Sequence, residues 1–217
     1  MFEVFTTLRV INGKPQWLDE HLARLELHAK LAGLKIPSPR VHTRGYINAT
    51  ASRIQNPLAL IRLSFNKNNY EIKTRELNLP PPEAYTHGVT VYLSDQIATS
   101  QLKTNQRQVY DIAYQQAQEH GAFEGLLCNQ DGYLVDGTRT SLLVRQGKTL
   151  TILEGGIEGI TRQQICLQMQ KLGFKIRRAY LKPSEIKGQL WLAGTGVGLL
   201  CSAALSSPLL QRLDFTP

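Results

Sequence analysis

Apolar and polar residues alternate at the start of the chain. Phe2, Val4, Thr6, Leu8 and Val10 fall on one side and Glu3, Phe5, Thr7 and Arg9 on the other. A period of two over residues 2–10 predicts a strand with one face on a core. Asn12-Gly13-Lys14-Pro15 follows, and an Asn-Gly pair typically reverses a hairpin, so a short second strand should run into Trp17. From residue 18 to residue 31 the period lengthens to that of a helix. Leu18, Leu22, Leu25, Ala29 and Ala32 recur at i, i+4, i+7, i+11 and i+14, with Gly33 as a natural stop.

Further along, residues 38–57 read as a less clearly patterned helix, and 58–65 and 70–77 as strands around a turn at 66–69. Leu79-Pro80-Pro81-Pro82 is the only linker-like stretch. It suggests two subdomains, a small one over 1–84 and a larger one over 85–217 that carries Lys103. A strand at 89–93 leads through a polar loop to Lys103, and Val109, Ile112, Ala113 and Ala117 then mark a helix ending before Gly121. Hairpins are expected over 126–135 and 140–153, a glycine-rich turn over 155–159, and a helix over 161–172 with Ile165, Met169 and Leu172 on one face. Strands at 175–180, 190–193 and 197–202 close the chain. Interleaved strands and helices, with strands in excess, indicate an α+β or mixed α/β fold.

With 217 residues, 42% of them hydrophobic, the chain can bury one large core or two small ones. No segment reaches the roughly 18 apolar residues of a membrane span. The opening Met-Phe-Glu-Val-Phe-Thr-Thr lacks the basic head and apolar stretch of a signal peptide, so a soluble cytoplasmic protein is expected. Cys128, Cys166 and Cys201 stand far apart in apolar runs without C-x-x-C spacing, which argues for buried thiols and against a metal site or disulfides. The net charge of +8 is dispersed, and its densest patch, 171–178, lacks the aromatic alternation of a single-strand binder. An anionic small substrate, drawn in by a positive field, is a better match than nucleic acid.

Candidate chemistry centres on Lys103, within Leu102-Lys103-Thr104-Asn105-Gln106-Arg107. Asp136 lies 33 positions later, in Leu134-Val135-Asp136-Gly137-Thr138, followed by Gly159-Ile160-Thr161-Arg162 and Ala193-Gly194-Thr195-Gly196. A lysine, an acid and two Gly/Thr turns against regular elements suit pyridoxal phosphate. The lysine forms a Schiff base, the acid pairs with the pyridine nitrogen, and the turns offer N–H and hydroxyl donors to the phosphate. Arg24, beside the apolar stripe of 18–31, reads from the residues alone as a solvated arginine at its edge.

Taken together, F-T-T-L-R-V (5–10), L-D-E-H-L-A-R-L (18–25), L-K-T-N-Q-R (102–107), L-V-D-G-T (134–138), G-I-T-R (159–162) and G-T-G (194–196) give the chain a specific likeness. From Phe2 to about Leu205 it resembles the class IV aminotransferases, fold-type IV pyridoxal-phosphate enzymes. That family includes branched-chain and D-amino-acid aminotransferases and 4-amino-4-deoxychorismate lyases. The resemblance implies Lys103 as the Schiff-base lysine, Arg24 as the phosphate-binding arginine, and Asp136 at the pyridine nitrogen. It also implies Ile160 and Thr161 as amide donors to the phosphate, Thr195 and Gly196 as a second phosphate clamp, and a homodimer.

Within the family the lyase branch fits best. Its members carry F-T-T at the start, and Thr7 sits where they have a threonine implicated in proton transfer. Arg107 stands four positions after Lys103 as in the lyase pattern, with Gln106 where an asparagine is usual. The implied reaction converts 4-amino-4-deoxychorismate to 4-aminobenzoate and pyruvate in folate biosynthesis, with Lys103 as general base and Arg107 pairing with substrate carboxylates. Amino-acid transamination uses the same lysine and is the alternative; a non-catalytic family member is the third reading. Three departures stand out. Asp136 replaces the usual glutamate, one methylene longer. The chain starts at the F-x-T strand without the preceding hairpin and G-D-G approach, so the N-terminal subdomain reads as shortened. The run over 151–158 into G-I-T-R is also short.

Overall fold

A computed structural model of the chain describes residues 1–36, 39–67 and 69–206, the last three by backbone alone. It divides into two compact units: Met1–Leu79 with Leu102–Gln106, and Pro80–Gln101 with Arg107–Pro217.

In the first unit, strands β1 (Glu3–Ile11), β2 (Lys14–Pro15), β3 (Leu58–Asn66) and β4 (Tyr70–Glu76) form an antiparallel sheet of order β2-β1-β3-β4. The β1–β2 turn has positive φ at both Asn12 (48°) and Gly13 (73°), the backbone that an Asn-Gly pair tolerates and a twisted hairpin needs. Helix α1 (Leu18–Leu31) carries Asp19 and Glu20 in its first turn and Lys30 in its last, matching the helix dipole. Gly33, at φ 68°, ends it: the Gly33 and Leu34 amides donate to the Lys30 and Ala29 carbonyls at 3.1 and 2.8 Å. The predicted stripe is the buried one, since Leu18, Leu22, Leu25 and Ala29 pack with Val4, Leu8 and Val10 of β1 in one core.

Helix α2 (Arg40–Ser52) is shorter than the reading of 38–57. Pro57 disfavours helical backbone at Asn56, whose Oδ1 instead accepts the Leu58 amide at 2.9 Å and turns the chain into β3. Ser38 lies outside the described residues.

Segment 102–106 groups with this unit rather than with the C-terminal residues expected to carry the lysine. It adds to the edge of β1: the Phe5 amide donates to the Lys103 carbonyl at 2.9 Å and the Asn105 amide to the Glu3 carbonyl at 3.1 Å. Val4 and Thr104 face each other as an antiparallel bridge. The Asn105 side chain secures this edge by accepting the Glu3 amide and donating to the Met1 carbonyl.

The second unit is an eight-stranded mixed sheet of order β10-β9-β8-β11-β12-β5-β6-β7. Its strands are β5 (Val89–Ile97), β6 (Glu124–Cys128), β7 (Leu134–Gly137), β8 (Ser141–Gln146), β9 (Thr149–Leu153), β10 (Lys175–Ala179), β11 (Gln189–Gly194) and β12 (Gly198–Ser206). Helices α4 (Gln108–Glu119) and α5 (Ile160–Lys171) complete it, with a short α3 (Pro82–Thr86) where the proline run suggested only a linker. Proline at the first helical position favours a helix start, because its missing N–H has no partner there anyway. On α5, Ile165 and Met169 pack as predicted against Leu143 and Trp191. Leu172 does not; it caps the helix beside Gly173 and is exposed.

Candidate active site

Lys103 is held by its main chain on both sides. Its carbonyl accepts the Phe5 amide, and its amide donates to His28 Nδ1 at 3.0 Å. Its Nζ lies 5.2 Å from the centre of the Phe5 ring. On β1 side chains alternate, so Phe5 and Thr7 share the face opposite Val4, Thr6 and Leu8. Thr7 stands directly across from Arg62 of β3, whose guanidinium lies 3.7 Å from the Phe5 ring centre and pairs with Glu3 at 2.6 Å.

Arg24 is not the solvated edge residue that the stripe allowed: it is 9% exposed and donates to Thr6 Oγ1 at 2.9 Å. The same hydroxyl lies 2.7 Å from His21 Nδ1. His21, Arg24 and His28 are spaced at i, i+3 and i+7, so one face of α1 carries all three. Burial, and then the Arg24 and Lys103 charges, push His21 down to about 3 and His28 down to about 4, so both rings are neutral at pH 7.

In the second unit, Asp136 is 3% exposed on β7 and its Oδ2 accepts the Ile157 amide at 3.2 Å. Glycines let that amide approach. A Cβ at Gly156 would lie 2.3 Å from the Val135 carbonyl oxygen, and one at Gly159 2.4 Å from Ser141 Oγ. The buried Tyr110 phenol is pushed up by desolvation and then by the Asp136 charge. Glu124 on β6 is fully buried; its Oε1 accepts the Thr138 hydroxyl and, at 2.9 Å, the Arg139 amide, fixing the chain just after Asp136.

Ile160 and Thr161 open α5 behind the N-cap Gly159, where helical amides lack intrahelical acceptors and the dipole favours an anion. The Thr161 hydroxyl is buried without a hydrogen-bond partner among the described residues. Thr195 and Gly196 are the central residues of a tight turn between β11 and β12, closed by the Val197 amide on the Gly194 carbonyl at 3.1 Å. Arg107, expected among substrate contacts, donates to the Thr138 carbonyl at 2.6 Å, lies 3.7 Å from Asp111 and rests over the Tyr110 ring. These contacts tie it to the turn that follows Asp136.

The sequence model of the amino-transferase class IV family matches residues 3–202. The chain belongs to the class IV aminotransferase family. A solved structure provisionally named 4-amino-4-deoxychorismate lyase is 37% identical and superposes with a TM-score of 0.89 over 99% of this chain and 90% of its own. An aminotransferase of Mycobacterium tuberculosis, named as hypothetical and solved in its PLP-bound form, is 19% identical, with a TM-score of 0.83 over 99% of this chain and 84% of its own, and shares the fold. A branched-chain-amino-acid aminotransferase named provisionally in Rickettsia bellii (strain RML369-C) is 27% identical over 217 aligned residues, 90% of this chain and 74% of its own.

Family members are pyridoxal-phosphate enzymes, and the residues present suit that group. Each unit brings groups of the kind that cofactor takes: the first a backbone-clamped lysine, the second a buried carboxylate that accepts the Ile157 amide and a helix start whose buried Thr161 hydroxyl has no partner among the described residues. Thr6, His21, His28 and Phe5 escaped the sequence reading. His21 and His28 lie on the stripe face of α1, which was a usable signal; their partners on β1 and at Lys103 become visible only in the fold.

Proposed function

We propose that this class IV enzyme is a lyase that converts 4-amino-4-deoxychorismate to 4-aminobenzoate and pyruvate, supplying a folate precursor. The observation that carries this reading is the 37% identity, over 99% of the chain, to the structure provisionally named for that lyase. Thr7, on the same strand face as Phe5, supports it.

When bound, pyridoxal phosphate supplies an electron sink conjugated to the substrate amine. Lys103 would hold that cofactor through its side-chain amine, and as a free amine it takes the proton from the ring carbon that bears the substrate nitrogen. Breaking the ether C–O bond to the enolpyruvyl group then leaves an aromatic ring, and Thr7 relays a proton to the departing enolpyruvate, giving pyruvate. One proton leaves the ring carbon and one enters the product, so no oxidant or reductant is needed. Arg24, the Ile160 and Thr161 amides and the Thr195-Gly196 turn would bind the phosphate, and Asp136 would hold the pyridine nitrogen protonated. The substrate carries two carboxylates, in keeping with the +8 net charge. The proposal extends to a homodimer, the assembly the resemblance implies.

Transamination is the second reading, favoured by the names of the Rickettsia relatives. The holoenzyme separates the two when it is given aminodeoxychorismate, with pyruvate followed by reduction, or branched-chain amino acids with 2-oxoglutarate, with glutamate followed. Pyruvate release that collapses in Thr7→Val and is absent in Lys103→Ala supports the lyase. Glutamate formation indifferent to Thr7→Val refutes it.

A further inference from the structure

Thr6 and His21 have no part in the reaction as proposed, yet both are buried polar groups, Thr6 in contact with Arg24 and His21 in contact with Thr6. Thr6 is wholly buried on the core face of β1, among Val4, Leu8 and Val10, where an apolar side chain would pack at no polar cost. Its hydroxyl oxygen accepts from Arg24 at 2.9 Å and lies 2.7 Å from His21 Nδ1. A hydroxyl has one hydrogen. With the oxygen already accepting from Arg24, the arrangement that uses it fully has the Thr6 O–H donating to His21 Nδ1. That places the ring proton on Nε2, which is buried and has no partner among the described residues. The opposite tautomer strands the threonine hydrogen instead. Either way one polar atom is left unsatisfied inside a core, a cost that simple apolar packing would avoid.

We infer that Thr6 and His21 are positioning residues that fix the Arg24 guanidinium as the phosphate-binding cation, His21 acting by orienting the Thr6 hydroxyl. An arginine has four rotatable side-chain torsions, and the Thr6 acceptor next to Phe5 on the strand narrows the directions open to the guanidinium. The histidine on the other side keeps that acceptor's lone pair turned toward the arginine. The inference rests on the reading of Arg24 given above, and the test separates the two.

Dissociation constants for pyridoxal phosphate and for pyridoxal, which lacks the phosphate, are measured by absorbance on wild type, Arg24→Leu, Thr6→Val, Thr6→Ser and His21→Leu, with the melting temperature of each apoprotein alongside. If the relay holds, Thr6→Val weakens pyridoxal phosphate about tenfold, equivalent to about 1.4 kcal/mol, and leaves pyridoxal unchanged. His21→Leu acts in the same direction, about threefold, and Thr6→Ser behaves as wild type. Should Thr6→Val fail to fold, the His21→Leu and Thr6→Ser ratios carry the same comparison. Full retention of the phosphate preference in Thr6→Val and His21→Leu, with its loss in Arg24→Leu, overturns the relay and leaves Arg24 in place. Equal weakening of both ligands in Thr6→Val, or of pyridoxal in His21→Leu, also overturns it, as a general packing effect. Retention of the preference in Arg24→Leu overturns the underlying reading.

Discussion

The contact between the 155–159 loop and β7 allows a quantitative test with Gly156→Ala. The added Cβ would sit 2.3 Å from the Val135 carbonyl oxygen and 3.2 Å from Asp136 Cβ, and both neighbours belong to a strand buried on its sheet. Relief therefore has to come from the loop, which must withdraw by roughly an ångström to reach ordinary contact. The Ile157 amide, already 3.2 Å from Asp136 Oδ2, then loses its acceptor. Overpacking of this kind costs about 1–3 kcal/mol, and a lost hydrogen bond to a buried carboxylate about 1.5–3 kcal/mol. With partial relaxation the sum is about 3 kcal/mol, which for a chain of this length lowers the melting temperature by about 6–12 °C. Differential scanning calorimetry of the apoprotein measures it. Gly45→Ala is the control: that glycine lies inside α2 with nothing within 4 Å of its Cβ position, so the change should stabilise by about 0.5–1 kcal/mol. A Gly156→Ala protein that melts within roughly a degree of wild type would show that the loop is not held against β7 as described.

Other outcomes follow from the same structure. His21 and His28 are neutral in the fold, with values of about 3 and about 4 against 6.5 for an unfolded chain, so the unfolded state binds more protons between these limits. Stability is therefore fully present above pH 6.5 and falls as pH drops toward 4, with a slope of up to about 1.4 kcal/mol per pH unit for each ring. Urea unfolding at pH 5 and pH 7 reads it, and a slope unchanged in His21→Asn refutes the assignment for that residue. Glu124→Gln keeps an acceptor for the Thr138 hydroxyl and the Arg139 amide and should stay within about 1 kcal/mol of wild type. Glu124→Leu strands both donors and should lose about 2–4 kcal/mol, and equal stability of the two variants refutes that role. Arg107→Leu should destabilise by about 1–2 kcal/mol through loss of its bond to Thr138. A raised KM with an unchanged melting temperature would instead return Arg107 to the substrate.

Much of the fold was legible because the signals are local. The alternation in β1, the Asn-Gly turn, the leucine spacing of α1 and its glycine stop are each written within about one window of sequence, and the structure follows them closely. The end of α2 was less legible, since Pro57 acts through the residue before it and the intervening Asn56 makes its own turn. Among candidate site residues, Lys103, Asp136 and the opening of α5 stood out by residue type and motif order, whereas Arg24 stood out only through the family resemblance. Thr6, by contrast, reads as an ordinary strand threonine, and only the packing of α1 on β1 brings His21 and Arg24 to it. Arg107 was singled out by its spacing from Lys103 as a partner for substrate carboxylates, and the carbonyl, carboxylate and ring that the fold places beside it could not be read from that spacing.

The docking of 102–106 onto the edge of β1 makes the first unit discontinuous in the gene product. As the ribosome delivers the chain, β1 emerges well before Lys103, and its outer edge near Val4 stays unpaired until the second-unit stretch Pro80–Gln101 has also been made. Fragments cut at residue 79 would end with that edge open, offering Glu3 and Phe5 backbone groups to any passing strand. A dissection of this protein into autonomous pieces therefore has to carry the lysine segment with the N-terminal piece, by permutation or by a grafted linker, even though the map of the sequence assigns it to the other half.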